Sequence, residues 1–245
     1  MTLDVYTAID LDRTTLKSTS LLYNYIVPAI QATYGYDDSV IKEVFEKEKL
    51  SRGRAFDFID YINQLAARDG LKPVSIENLA SVVVDHERDA DKHIKPEFID
   101  NIFVEHTLEL IHVITNRKGE EWGFMTSGGD HTQNLKLGIA RPIIKEHLGI
   151  SPRAEVIATE SKAETIMSEW YDAEFDAFRL PDAIDREGLL FARRVRLLDD
   201  KPSNTTVPPE FIEASRGRFE AFRMQPAEQP EDGGMTIAQI IEKIQ

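Results

Sequence analysis

Tyr6-Thr7-Ala8-Ile9-Asp10-Leu11-Asp12-Arg13-Thr14 is the stretch on which the reading of this chain turns. Val5 to Ile9 is short, rich in β-formers and runs straight into an acidic pair. That pattern predicts a buried strand whose end opens into a functional loop. On its own, Asp-x-Asp-x-Thr is a weak signal, since a polar turn after a strand has the same look. Its meaning depends on what the rest of the chain brings to the same place.

Outward from this segment the pattern is helical. Leu21, Leu22, Tyr25, Ile26 and Ala29 recur at one-face helical spacing. Asp38-Ser39 is a capping signal for a helix carrying Val40, Val44 and Phe45. Phe58, Ile59, Ile62, Leu65 and Ala66 make another stripe, ended by Asp69-Gly70, and Ile76, Leu79, Val82 and Val83 a shorter one. Pro96 is expected to start a helix whose inner face is Ile99, Ile102, Phe103, His106 and Leu110. From Lys17 to about Ile114, then, the chain reads as helix.

Beyond that block, strands and helices alternate. Trp122-Gly123-Phe124-Met125 reads as a strand ending at Thr126-Ser127-Gly128-Gly129. Helices are expected at Asp130–Leu137 and Pro142–Leu148, a strand at Glu155–Ala158 and a helix from Lys162 to Trp170. Arg194–Leu198 is a strand ending at Asp199-Asp200, and Arg218–Phe222 one more. Gln225 to Gly234 reads as a solvated linker to a short helix, Thr236–Ile244. The alternation predicts an α/β fold with a doubly wound, Rossmann-like parallel sheet. Because the helical block separates the first strand from the others, it is expected to be an inserted all-helical subdomain. The division is 1–16 and 115–245 for a discontinuous core and 17–114 for the insertion.

Composition narrows the chemistry. With 245 residues, a formal net charge of -14 and no cysteine, the chain excludes disulfides, thiolate metal sites and a cysteine nucleophile. The negative charge opposes nucleic acid and anionic membranes as partners. No stretch is apolar for long enough to span a bilayer, and Met1-Thr2-Leu3-Asp4 does not resemble a signal peptide, so a cytoplasmic protein is expected. Nothing in the sequence reports the oligomeric state.

In a parallel sheet, functional loops lie at the carboxyl ends of the strands. Asp10, Asp12, Asp199 and Asp200 all fall at such ends. Carboxylates crowded there repel one another and need a cation, and an all-oxygen donor set favours Mg²⁺. Asp10 is then placed to attack phosphorus. Asp12, directed away from Asp10 if strand geometry persists, is placed to move the proton. Thr126 or Ser127, with the amides of Gly128 and Gly129, suits phosphoryl oxygens at a helix N-terminus. A lysine is needed against the developing charge. Lys162 opens the helix after the strand that ends at Ala158-Thr159, with Lys136 and Lys145 as weaker rivals.

The order of Asp10-x-Asp12-x-Thr14 after a strand, Thr126 at the next strand end, a lysine, then Asp199-Asp200 resembles the haloacid dehalogenase-like superfamily of hydrolases. The likeness covers Val5–Thr14 and about Trp122–Asn204, and the block from Lys17 to Ile114 looks like that family's helical cap. The resemblance implies a phosphatase acting on a small phosphorylated metabolite through an aspartyl-phosphate. Asp10 would be nucleophile and Asp12 acid/base. Magnesium would be held by the Asp10 carboxylate, the Asp12 backbone carbonyl and Asp200, with Asp199 as a second or water-mediated ligand. Two departures stand out: Asn204 occupies a place where the family often has an acid, and Lys162 to Asp199 is a long stretch for the usual core.

Each feature also has a plainer reading. Thr126 can be a simple helix N-terminal residue, Lys162 a solvated helix lysine, and Gly128-Gly129 a turn. Arg52, Arg54, His86, Arg88 and His93, all in the helical block, read first as solvated surface. His106 reads as a core histidine, and Trp122 and Trp170 as core packing. Four other functions compete. A receiver domain would have its acidic pair on the first strand, and a carbon–halogen hydrolase would need neither Asp12 nor Asp199-Asp200. Phosphotransfer to a sugar, or a non-catalytic interaction protein on the same scaffold, stays open.

Overall fold

Val5 to Ile9 lie in β1 (Thr2–Ile9), which is buried on both faces from Val5 onward, as a central strand of a parallel sheet must be. The computed structural model describes residues 2–51, 56–158, 161–181, 190–226 and 233–245. After β1 come α1 (Ser18–Leu21), a π turn over Leu22–Ile26, α2 (Val27–Tyr34), α3 (Asp38–Leu50), α4 (Phe58–Asp69), α5 (Ile76–His86), α6 (Pro96–Ile102) and α7 (Thr107–Thr115). Asp37 caps α3 through Ser39 N and Val40 N, and Asp57 caps α4 through Ile59 N and Asp60 N. Then follow β2 (Glu120–Ser127), α8 (Asp130–Leu148), β3 (Glu155–Ala158), and α9 (Lys162–Thr165) continued by a π turn, Ile166–Trp170. The chain closes with β4 (Tyr171–Asp172), β5 (Ala177–Arg179), β6 (Phe191–Asp199), α10 (Pro202–Thr205), α11 (Pro209–Ala214), β7 (Phe219–Arg223) and α12 (Ile237–Ile244). Among the described residues, no helix is long and apolar enough to cross a membrane.

The chain divides into two compact units. One comprises Met1–Lys17, Phe103–Thr126 and Ile150–Gln245; the other comprises Ser18–Ile102 and Ser127–Gly149. The second unit thus takes α8 along with α1 to α6, while α7 goes with the first, a division different from the expected 17–114.

In the first unit the sheet order is β3-β2-β1-β6-β5-β4, with β7 also paired to β6. Pairing is parallel between β1 and β2, β1 and β6, and β6 and β7. The sheet is α/β and dominantly parallel as expected, but the hairpin β4–β5 adds to it antiparallel. β6 serves two neighbours on one side by dividing its length: Phe191 and Ala192 pair with β5, and Val195 to Asp199 pair with β7. The core on this sheet includes Leu3, Tyr6, Met125, Ile166, Trp170, Phe178 and Leu197, with Tyr6 edge-on to Trp170 at 6.1 Å. Both tryptophans are buried, as expected. Gly123 is the one residue β2 can hold here, because a Cβ would lie 2.1 Å from the Tyr6 hydroxyl and 2.4 Å from the Ala154 carbonyl oxygen.

Two helical expectations change. The single helix from Pro96 is broken into α6 and α7. Phe103 leaves the helix to pair with Leu16, Val104 N donates to Thr15 O at 2.9 Å, and His106 turns the chain at a φ of 65°. His106 is consequently exposed beside Glu109, not in the core. Conversely, Asp130–Leu137 and Pro142–Leu148 fuse into the one helix α8. Pro142 removes a single backbone donor, and the buried Ile139, Ala140, Ile143 and Ile144 around it keep the helix on course. The cap of α12 is a reciprocal pair: Thr236 Oγ1 accepts from Gln239 N, and Gln239 Oε1 accepts from Thr236 N.

Candidate active site

Strand register brings the two acidic motifs together. Ile9 is paired with Leu198, so the next residues, Asp10 and Asp199, leave the sheet side by side. Asp10 N donates to Leu198 O at 2.8 Å, which carries the pairing one residue past β1. On the other side Ile9 is paired with Phe124, which sets Thr126 at the neighbouring strand end, fully buried. Asp10, Asp199 and Asp200 each offer a carboxylate oxygen, and these oxygens lie within 4.8 Å of one another.

Lys162 is the cation inside this cluster. It is 1% exposed, and its Nζ donates to Asp10 Oδ1 and, at 2.5 Å, to Asp199 Oδ2. The reading of Lys162 as a solvated helix lysine is therefore overturned, and the long stretch from it to Asp199 is partly accounted for by the hairpin β4–β5. Lys136 and Lys145 lie in the other unit, on α8, and Lys145 is exposed. The remaining polar atoms are distributed with little left over. Thr14 Oγ1 donates to Asp10 Oδ2 at 3.1 Å, and Thr15 Oγ1 to the Asp10 carbonyl at 2.5 Å. Asp199 accepts from Lys201 N at 2.8 Å and from Asn204 Nδ2 at 3.0 Å. Asn204 thus serves as a donor that steadies a carboxylate where another acid would have repelled it.

Charge balance follows from burial. Burial pushes the Asp10 carboxyl up to about 7; Lys162 opposes this, while Asp199 and Asp12 add to it. Burial also disfavours the Lys162 ammonium, yet the Asp10 and Asp199 carboxylates hold its pKa above the ordinary lysine value. Asp200 is raised as well, by burial, against the pull of Arg13. Lys162 within the cluster and Arg13 at its edge, against three buried carboxylates, leave it one positive charge short. Asp200 Oδ1 is moreover buried without a hydrogen-bond partner, an expensive arrangement unless a cation meets it. The donors are all oxygen, so Asp10, Asp199 and Asp200 have the chemistry that would suit a magnesium ion.

The loop after β1 departs from strand geometry at Asp10, so alternation does not set the direction of Asp12. Instead Leu11 O accepts from Thr15 N and Leu16 N, Arg13 N donates to Leu16 O, and Asp12 bridges to Leu16. Asp12 is half-buried, and its charge contributes to the raised Asp10 value. Arg13 sits at a φ of 63°, unusual for a side chain of its size, with its Nε 3.5 Å from Asp200 Oδ2. Sequence reasoning passed over Arg13 because left-handed backbone at an arginine leaves no compositional mark.

In the second unit, Ser127 and Gly128 lead to Gly129, the N-cap of α8. Asp57 accepts from His131 N at 2.7 Å and Thr132 Oγ1 at 2.8 Å, so a carboxylate already sits at the N-terminus of α8. Burial opposes ionisation of Asp57, but the Asp60 and His131 amides and the Thr132 hydroxyl outweigh it and hold the pKa low. A Cβ on Gly129 would come within 2.4 Å of Asp57 Cα, so this approach depends on glycine. Of the other side chains considered in this unit, Arg88 pairs with Glu146 at 2.7 Å, and His86 and His93 are exposed. Arg52 and Arg54 lie outside the described residues, as does Thr159.

No family model and no curated protein matches the sequence. Solved structures do. A Burkholderia xenovorans protein described as a haloacid dehalogenase-like hydrolase aligns over 98% of this chain and 96% of its own, at 14% identity and a TM-score of 0.55. The Legionella pneumophila effector Ceg4 aligns over 100% and 94%, at 11% identity and a TM-score of 0.47. Bacillus subtilis YfnB, described as a HAD-hydrolase and crystallised with magnesium, aligns over 100% and 97%, at 12% identity and a TM-score of 0.33. The strand order, the carboxyl-end aspartates and the first of these likenesses agree: this chain has the haloacid dehalogenase-like fold.

Proposed function

We propose that this protein is a Mg²⁺-dependent phosphatase, hydrolysing a small phosphorylated metabolite through an aspartyl-phosphate on Asp10. The observation that carries the reading is the buried set Asp10, Asp199 and Asp200 with Lys162 bound between two of them. A structural ion pair needs one carboxylate per lysine; three carboxylates, one with a buried oxygen left unpaired, suit a site that takes a divalent cation and an anionic substrate.

In this reading Asp10, Asp199 and Asp200, with the Asp12 carbonyl, would hold a magnesium ion, which would supply the positive charge that lets a phosphoryl group approach carboxylates. Lys162 and Thr14 each take one Asp10 oxygen, which fixes the plane of the attacking carboxylate before substrate arrives. Asp10 attacks phosphorus and the ester oxygen leaves, taking its proton from Asp12; Asp12 then accepts a proton from the water that opens the acyl phosphate. Thr126, at the end of β2, binds a phosphoryl oxygen, and Lys162 offsets the charge that develops there. The absence of cysteine suits a reducing, cytoplasmic setting.

The test uses p-nitrophenyl phosphate with Mg²⁺, with EDTA, and with Asp10→Asn. Turnover is expected only for the unaltered protein with Mg²⁺. Metal-independent turnover, or full activity in Asp10→Asn, would falsify the mechanism.

A further inference from the structure

At the opposite end of β1 and β6 the first unit opens into a cavity of about 890 Å³. It lies where the two strands begin, at the paired Thr2 and Phe191, whereas Asp10 and Asp199 lie where they finish. Eight residues of strand separate the two places, roughly 25 Å. That exceeds the screening length of about 8 Å in physiological salt, so an anion bound at this end does not feel the carboxylate cluster.

The lining of this cavity opposes the character of the chain. The protein carries a net charge of -14, yet five cationic side chains face three acidic ones here. Arg117 is taken up by Glu120 and Arg218 by Asp176, both at 2.7 Å. Arg193 reaches Asp4 only at 3.5 Å, with both side chains mostly exposed. Among the described residues, the Lys118 and Arg194 side chains have neither a hydrogen-bond nor an ion-pair partner.

One wall is aromatic. Phe175 is 63% exposed and packs on Phe191 with ring centroids 5.4 Å apart. It is carried on a turn that is held from several directions. Asp172 Oδ1 accepts from Glu174 N and Phe175 N, Asp176 adopts a φ of 48°, and Tyr171, Arg216 and Arg218 all bind the Asp176 side chain. A fixed turn that holds a bare ring out beside unpaired cations has the parts of a platform for a planar anion: a face for the ring, charges for the phosphates.

We propose that this cavity binds a nucleotide, its base stacked on Phe175 and its phosphates held by Lys118, Arg194 and Arg193. The site is separate from the aspartate cluster and does not depend on the phosphatase reading.

ADP binding to the full-length protein, measured by titration calorimetry in EDTA at low salt, tests it. ADP is expected to bind with a dissociation constant below about 1 mM, and inorganic pyrophosphate about fivefold or more weaker, for want of a base. Lys118→Ala with Arg194→Ala should weaken ADP by about tenfold or more, and Phe175→Ser should weaken ADP while leaving pyrophosphate unchanged. All three side chains are at the surface of the cavity, so the melting temperatures should match the parent. No binding of ADP at 5 mM (about five times the expected limit), equal affinity for pyrophosphate, or ADP binding untouched by the double substitution overturns the proposal; the last would place ADP elsewhere on the molecule.

Discussion

Asp10 is asked to do two opposed things. Folding buries it, which favours the neutral acid, while the proposed attack on phosphorus requires the anion. The folded carboxyl keeps its proton up to about 7, whereas in the unfolded chain it gives that proton up near pH 4. Between these values the folded state binds more protons, so stability without metal falls as pH rises; the penalty is absent below about pH 4 and complete above about pH 7. Lys162, raised above its ordinary value, adds no slope in that window because it is protonated in both states. Asp10→Asn removes the penalty and keeps the Asp199 partner of Lys162. In EDTA at pH 8 the variant should therefore melt higher than the parent, and the difference should shrink toward pH 4. Thermal unfolding across that range checks it; a variant less stable at pH 8 would mean that the Lys162–Asp10 pair outweighs the burial of the charge.

At the scale of elements, the site is a consequence of register, and register depends on close approach. β2 can lie beside β1 and β3 only because Gly123 has no side chain between the Tyr6 hydroxyl and the Ala154 carbonyl. Gly123→Ala must push apart backbone, not a flexible chain end. A loss of about 2–3 kcal/mol is expected in denaturant unfolding. Tyr6→Phe should not rescue it, since the Ala154 carbonyl stays in place; full rescue would put the constraint on the hydroxyl alone. The same element scale explains what sequence could and could not convey. β1 and β2 were legible from their short buried apolar stretches and β6 from its Val195, Leu197 and Leu198, and the aspartates Asp10 and Asp199 were legible because they follow Ile9 and Leu198 directly. The hairpin β4–β5 was not, being strands of two and three residues with too few positions to show a period. Nor was the break at His106, where hydrogen bonds to Thr15 and the pairing of Phe103 with Leu16 override a helical spacing that continues unbroken in the sequence. Asp57 was hidden for a similar reason. A single aspartate capping α4 is readable, but its second set of partners on α8 is more than seventy residues away.

Over the whole molecule, two electrostatic effects of magnesium must be told apart. A chain of net charge -14 is stabilised by any added cation, because its charges repel one another and salt screens them. A bound ion acts differently, through mass action at one place, and is worth about 1.4 kcal/mol at ten times its dissociation constant. Asp200→Asn separates the two. It changes the overall field by one charge in fourteen, which screening hardly registers, but it replaces the side chain whose buried Oδ1 has no partner. At fixed ionic strength, exchanging NaCl for MgCl₂ should raise the melting temperature of the parent by several degrees and leave Asp200→Asn nearly unmoved. The variant in EDTA should be at least as stable as the parent, since the burial cost of the Asp200 carboxylate outweighs the pull of the partly exposed Arg13. Equal stabilisation of both proteins by MgCl₂ would assign the effect to the field of the whole chain and remove Asp200 from the proposed metal site.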